Sequence, residues 1–331
     1  MNKRKLGKSG VELTALGLGT WAIGGGDNPY GWGKQDDRES IETILHALDQ
    51  GINWLDTAAG YGHGHSEEIV GKAVASRRDK VFIATKCGIL WKEDGSDIFP
   101  CLGAESIRVE VESSLKRLNT DYIDLYQIHW PTGDDNEVAE GWSAVASLVK
   151  EGKVRFGGVS NFNINQLEIA SKIYPVTSLQ PPYSMLVRGI EDEIIGYCGR
   201  NQIGILAYSP MQAGLLTGKM THERVLALAD DDWRKTKSPL FKDPSLSIYL
   251  DLVEKLKPIA ARHGRPVSHI AIAWVLRWPE VSGAIVGARK PSQVDETIGA
   301  GDLVISKEEL VSIQTFLDEM DKALLKAGVE K

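Results

Sequence analysis

The chain alternates short, almost wholly apolar runs with longer stretches in which apolar residues recur every three or four positions. Runs of the first kind, such as L-G-L-G-T at 16–20 and V-F-I-A-T-K at 81–86, read as strands buried on both faces. Stretches of the second kind read as amphipathic helices. In order, strands are predicted at 16–20, 53–56, 81–86, 123–129, 154–159, 177–180, 203–208 and 282–286. Helices are predicted at 37–50, 66–76, 104–118, 137–150, 163–172, 190–200, 246–263, 268–277 and 291–299, with a last one from Ser306. Residues 4–6 and 11–14, on either side of G-K-S-G, make a small hairpin ahead of the first strand, and the glycine-rich run to Gly33 makes a loop. Eight strands, each followed eventually by a helix, argue a parallel sheet, either closed into a barrel or open and doubly wound. No G-x-G-x-x-G follows the first strand, where a Rossmann fold binds pyrophosphate, and this weighs against the open form.

Composition narrows the class without changing the architecture. No Pro/Gly/Ser-rich linker divides the 331 residues, so one domain over 1–331 is expected. Apolar residues are 42% and charged residues 25%, which fits a soluble protein with a large core. A net charge of −7 with no long single-sign block argues against non-specific nucleic-acid binding. Cys87, Cys101 and Cys198 have neither zinc nor C-x-x-C spacing, which suits a reduced, cytoplasmic setting. The N-terminus lacks the apolar run of a signal peptide. No uncharged apolar run approaches ~18 residues, so no membrane span is expected.

The polar candidates gather at predicted strand ends. Asp56 closes N-W-L-D, Lys86 closes V-F-I-A-T-K, and His129 closes I-D-L-Y-Q-I-H; Tyr61 follows Asp56 in D-T-A-A-G-Y-G-H-G-H-S-E. In a parallel barrel that end is where catalytic groups converge. Taken singly each has an ordinary reading: a loop tyrosine as surface packing, an Asp–Lys pair as structure, a strand histidine bonded to a backbone carbonyl. Together, D-T-A-A-G-Y-G-x-G-x-S-E, A-T-K and Q-I-H-W-P resemble the tetrad blocks of the aldo-keto reductases. The resemblance runs from Leu16 to Thr297. It is strongest to the bacterial family 11 reductases of the general-stress and inositol-operon type and to members like potassium-channel beta subunits.

The resemblance implies a single (β/α)8 TIM barrel, plugged at its amino-terminal end by the hairpin. It also implies NADPH-dependent reduction of small aldehydes or ketones, with 4-pro-R hydride delivery and no metal. Tyr61 would be the general acid. An ammonium nearby stabilises phenolate, so Lys86, anchored by Asp56, is expected to lower the Tyr61 pKa. His129 would position and polarise the substrate carbonyl. Trp21, Trp32, Trp91 and Trp130, in loops after strands, would wall an apolar pocket.

For the cofactor, the resemblance implies contacts at Thr20, Trp21 and Asp56, and a carboxamide site made by Ser160, Asn161 and Gln180. Amide side chains offer a donor and an acceptor together; the plainer reading of S-N is a helix cap. In A-Y-S-P-M-Q-A-G-L-L-T-G-K, Tyr208 would stack on the nicotinamide. Backbone of Ser209, Pro210, Met211, Gln212, Gly214 and Leu215 would meet the pyrophosphate, with Lys219 adding charge. Arg234, in the insertion D-D-W-R-K, would close over the cofactor. In A-I-V-G-A-R-K-P-S-Q-V-D-E-T, Gly287 would admit a phosphate, and Arg289 and Lys290 would meet a 2′-phosphate. Gln293, Glu296 and Thr297, on one helical face, would hold the adenosine; relatives often carry Asn where Thr297 stands.

Two other functions compete. His63 and His65 form H-x-H, which with Asp56 and His129 would serve a metal-dependent hydrolase. Alternatively the chain is a redox-sensing binding subunit that holds NADP and turns over slowly. The sequence specifies neither the physiological substrate nor the oligomeric state.

Overall fold

The apolar run that starts the sheet is also the one that closes it. In the computed structural model, which describes residues 1–25, 32–92, 98–230 and 232–329, eight strands pair side by side in parallel. They are β1 (Leu16–Gly19), β2 (Trp54–Asp56), β3 (Phe82–Cys87), β4 (Ile123–Ile128), β5 (Val154–Ser160), β6 (Ser178–Gln180), β7 (Gly204–Ala207) and β8 (Val281–Gly287). β8 returns to pair with β1, setting Ala284 opposite Leu16 and Gly287 opposite Gly19. This pairing excludes the open doubly wound sheet and makes a (β/α)8 barrel. Helices such as Asp37–Asp49, Ala104–Leu118 and Asp135–Lys150 cover its outside.

A large apolar layer lies between barrel and helices, and a separate small cluster fills the barrel itself. In the interior Trp54, Phe82, Ala84, Leu125, Leu206 and Ile285 meet Leu6 and Leu13 of the hairpin Lys3–Lys5/Glu12–Thr14. The hairpin sits at the strand starts, where Lys8 N donates to Gln202 O. Trp54 has room only because β1 and β8 present glycine to it. A Cβ on Gly17 would lie 2.1 Å from its ring, and one on Gly283 2.7 Å away. The indole N–H donates to Thr14 O at 2.9 Å, tying the interior to the plug.

Most predicted elements lie within two residues of their observed limits, and capping side chains explain several starts. Asp36, Asn163 and Ser306 each accept a first-turn N–H, the last two in capping boxes with Gln166 and Glu309. The helix predicted at 190–200 starts later, at Ile194, after a turn. The one predicted at 291–299 stops at Asp295 and continues as a 3-10 turn, Ile298–Asp302. An antiparallel ribbon, Ile89–Trp91 with Ile98–Pro100, is not among the predicted elements, because its strands are too short for a periodic signal. Most of the glycine-rich loop (26–31) and Asp231 of the D-D-W-R-K insertion lie outside the described residues. Cys87, Cys101 and Cys198 are unpaired. Among the described residues no helix is long and apolar enough to cross a membrane.

Candidate active site

The carboxyl ends of the barrel strands open into a cleft of about 750 Å³. At its floor β2 ends in Asp56, β3 carries Lys86, and the chain after β2 brings back Tyr61. Asp56 and Lys86 are 2% and 1% exposed. Burial at that level is tolerable for two charges only if they are paired and hydrogen-bonded. All three N–H groups of the Lys86 ammonium are directed: to Asp56 Oδ1 at 2.7 Å, Thr57 O at 2.9 Å and the Tyr61 hydroxyl at 3.1 Å. A fixed positive charge therefore sits behind a phenol that faces the cleft.

The electrostatics of Tyr61 differ from the sequence expectation. Burial pushes the phenol above its ordinary pKa, and the opposing pull of Lys86 is offset in part by Asp56. Lys86 itself, despite burial, is held above its usual range by Asp56 and Tyr61. His129 stands edge-on to Tyr61, with ring centroids 5.8 Å apart. Burial, then Lys86, depress its pKa well below the usual histidine value, so the imidazole is neutral near pH 7. A neutral ring can donate one hydrogen bond to an oxygen held between it and Tyr61.

Around this floor the predicted cofactor residues separate into two groups. Trp21, Asp56, Ser160, Asn161, Gln180, Tyr208, Ser209, Pro210, Met211, Gln212, Gly214, Lys219, Arg234, Gly287, Arg289, Gln293, Glu296 and Thr297 all line the cleft. Thr20 and Leu215 do not. Thr20 is fully buried, donating to Asp56 O and sharing a 2.7 Å bond with Ser66 Oγ, and Leu215 is a core side chain. The N–H groups of Gln212, Gly214 and Leu215 are used inside their own loop, on Ser209 O, Met211 O and Gln212 O. A pyrophosphate would have to share them with that loop.

The S-N pair is not a helix cap, since Asn163 fills that place. Asn161 instead donates to His129 O and Ser160 Oγ, both at 3.0 Å, and accepts from the Tyr208 hydroxyl at 3.0 Å. Trp21, Trp32 and Trp130 line the cleft, whereas Trp91 lies behind His63, with ring centroids 5.2 Å apart. His65 turns to Asp37 at 2.8 Å, away from His63. Among the described residues no group of three or more His, Cys, Asp or Glu side chains is placed to hold a metal.

At the far end the cations are already engaged. Lys219 pairs with Glu296 at 2.7 Å. Arg234 chelates Asp232 and stacks over Trp32, 4.4 Å from its ring centroid. Arg289 donates to Gln35 Oε1 at 2.5 Å, Trp32 O at 2.9 Å and Lys34 O. Its expected partner, a 2′-phosphate, would have to share it with this loop.

Several features of the site carry no sequence signal. Seven described non-glycine residues have positive φ; Asn119 and Gln202 end helices, but His63, Asn161, Ser209, Gln212 and Ala213 surround the cleft. Such strain, roughly 1–3 kcal/mol per residue, gathers at functional sites. Pro266 and Ser268, at the start of the helix Val267–Val275, also line the cleft and turn its N-terminus toward it. Trp233, packed 5.8 Å from Trp21, has as its only sequence cue the neighbouring Arg234. A long cleft with a helix N-terminus, several cations and an aromatic wall fits a dinucleotide.

Residues 15–318 match the profile of the Aldo/keto reductase family. The chain belongs to that family. It is 42% identical over 323 residues to Aldo-keto reductase YhdN of Bacillus subtilis (strain 168), covering 96% of this chain and 94% of that one. It is 36% identical to an NADH-specific methylglyoxal reductase of Escherichia coli (strain K12), covering 98% and 99%. Its fold superposes on the glycerol dehydrogenase AKR11B4 from Gluconobacter oxydans with a TM-score of 0.85, at 38% identity, over 96% and 95% of the two chains. Aldo-keto reductase AKR11C1 from Bacillus halodurans gives a TM-score of 0.80 at 27% identity, over 96% of each chain.

Proposed function

We propose that this aldo-keto reductase, acting as one barrel domain, reduces aldehydes or ketones to alcohols with NADPH and uses Tyr61 as proton donor. The observation that carries the reading is the Lys86 ammonium, locked by three acceptors and 3.1 Å from the Tyr61 oxygen. When bound, the nicotinamide supplies hydride to the carbonyl carbon. Tyr61 gives its proton to the carbonyl oxygen as negative charge develops there. Lys86 stabilises the phenolate left behind, and Asp56 keeps the ammonium in place. Neutral His129 donates to the same oxygen and sets the carbonyl's orientation. Ser160, Asn161 and Gln180 would hold the carboxamide and Tyr208 would cover one ring face.

NADPH is preferred in this reading because Lys290 lies exposed beside the strand end at Gly287, one position beyond the Arg289 that holds the 32–35 loop. That the Escherichia coli relative is NADH-specific makes the choice one to measure. Tyr61→Phe removes one oxygen and little volume, so cofactor binding survives. NADPH oxidation with a panel of small aldehydes falls by the ~10²–10⁴-fold that general acid catalysis contributes. Near-wild-type turnover in the variant would remove Tyr61 from the reaction.

A further inference from the structure

Asp56 has a second buried partner besides Lys86. Its Oδ1 accepts from Lys86, while its Oδ2 accepts from Gln180 Nε2 at 2.7 Å. The remaining N–H of that amide points to Gln127 Oε1 at 3.4 Å. Gln180 and Gln127 are 2% and 0% exposed; Gln180 lines the cleft and Gln127 does not. Register puts Gln127 beside Gly158 on β5, where a Cβ would lie 2.5 Å from Ser178 Oγ and 3.1 Å from Gln127 Cγ. A glycine there leaves both side chains their space.

Gln127 is costly to keep. Its Nε2 has no partner among the described residues, and a buried unsatisfied amide group is unfavourable where leucine would be neutral. Its carbonyl end offers the compensation. An amide facing Asp56 can do so with N–H or with C=O, and only the first is attractive. Between two acceptors, Asp56 Oδ2 and Gln127 Oε1, the NH2 end of Gln180 is the one that fits.

We infer that Gln180, oriented by Gln127, is a positioning residue: it fixes the rotation of the Asp56 carboxylate and thereby holds Lys86 behind the Tyr61 hydroxyl. This rests on the reductase reading for its effect on turnover, but not for its effect on geometry. The role also leaves Gln180 Oε1 available to the carboxamide, so one residue touches both the cofactor site and the proton donor's support.

Gln180→Glu provides the test. Two carboxyl groups at this separation disfavour each other's ionisation, so the second gives up its proton only at higher pH. While protonated, Glu at 180 donates to Asp56 as the amide does; deprotonation sets two anions against one ammonium. The ratio of variant to wild-type kcat is therefore expected to be highest near pH 5 and to fall by at least about tenfold toward pH 8. Gln127→Leu should lower kcat several-fold with the cofactor Kd, read by tryptophan fluorescence, unchanged. A crystal structure of Gln180→Leu should show the Asp56 carboxylate rotated and the Lys86–Tyr61 distance longer. A pH-independent ratio for Gln180→Glu, or a raised cofactor Kd with unchanged kcat in all three variants, would overturn the inference. If Tyr61→Phe retained full turnover, the reductase reading would fall, and the Asp56 geometry in Gln180→Leu would still decide the role of Gln180.

Discussion

At Tyr61 two opposing effects act on one oxygen. Burial raises the phenol pKa and Lys86 lowers it, and burial prevails. The lysine therefore does not make Tyr61 a stronger acid than a free phenol; it limits how weak an acid burial can make it. The pH dependence follows in sign. With Tyr61 as the proposed proton donor, reduction needs the protonated phenol, so kcat should stay level through neutrality and fall only above the ordinary phenol value of ~10. Alcohol oxidation needs the phenolate and should rise over the same alkaline range. His129, its pKa far below ~6.5, should add no inflection between pH 6 and 8. Steady-state kcat measured in both directions from pH 5 to 11 checks this; a limb near pH 6.5 in the reduction would mean that His129 titrates in the working enzyme. The proposed tetrad could be placed in the sequence because each member ends a strand or follows one closely and because the surrounding blocks resemble those of the aldo-keto reductases. Gln180 as a partner of Asp56 could not, since the two are 124 positions apart and meet only when the barrel closes.

Loops obey a different logic from strands. Ser209, Gln212 and Ala213 have no intrinsic taste for positive φ, so nothing in A-Y-S-P-M-Q-A-G announces their conformation. Tertiary contacts impose it, among them Gln212 Nε2 donating to Ser184 Oγ at 2.9 Å. Arg289 makes the same point across the cleft. Three of its N–H groups hold the 32–35 loop, and Gln35 Nε2 donates back to Arg289 O at 2.8 Å. Trp32 of that loop lines the cleft. Arg289→Ala should therefore weaken NADH and NADPH together, by ~1–3 kcal/mol, the scale of losing hydrogen bonds made by a charged group. Lys290 lies exposed at the following position. Its loss should weaken NADPH alone, by under ~1 kcal/mol, because a solvated ammonium is a weak point charge. Titrating both cofactors into both variants separates the roles. An unchanged NADH affinity in Arg289→Ala would return that residue to the 2′-phosphate.

At the scale of the molecule, the alternation of apolar runs and amphipathic stretches carried the architecture, because strands buried on both faces must be apolar throughout. Closure was not in the pattern. It depends on β8 meeting β1, and on an interior that eight strands can fill without a void. Trp54 is the largest side chain in that interior, and Gly17 and Gly283 on two neighbouring strands make way for it. Neither glycine has positive φ, so space rather than backbone freedom accounts for them. Gly17→Ala should therefore destabilise by overpacking, at or above the ~1–3 kcal/mol usual for an added methyl, since its Cβ would stand 2.1 Å from the indole. Trp54→Phe alone leaves a cavity and strands Thr14 O without its indole donor, and should cost ~1–3 kcal/mol. Combined, the smaller ring should vacate space that the new methyl occupies, so the double variant should lose less than the sum of the two. Urea unfolding of the four proteins gives the coupling directly. Strict additivity would mean that the glycine at 17 serves something other than the tryptophan, and that the barrel closes around a less specific interior than its packing suggests.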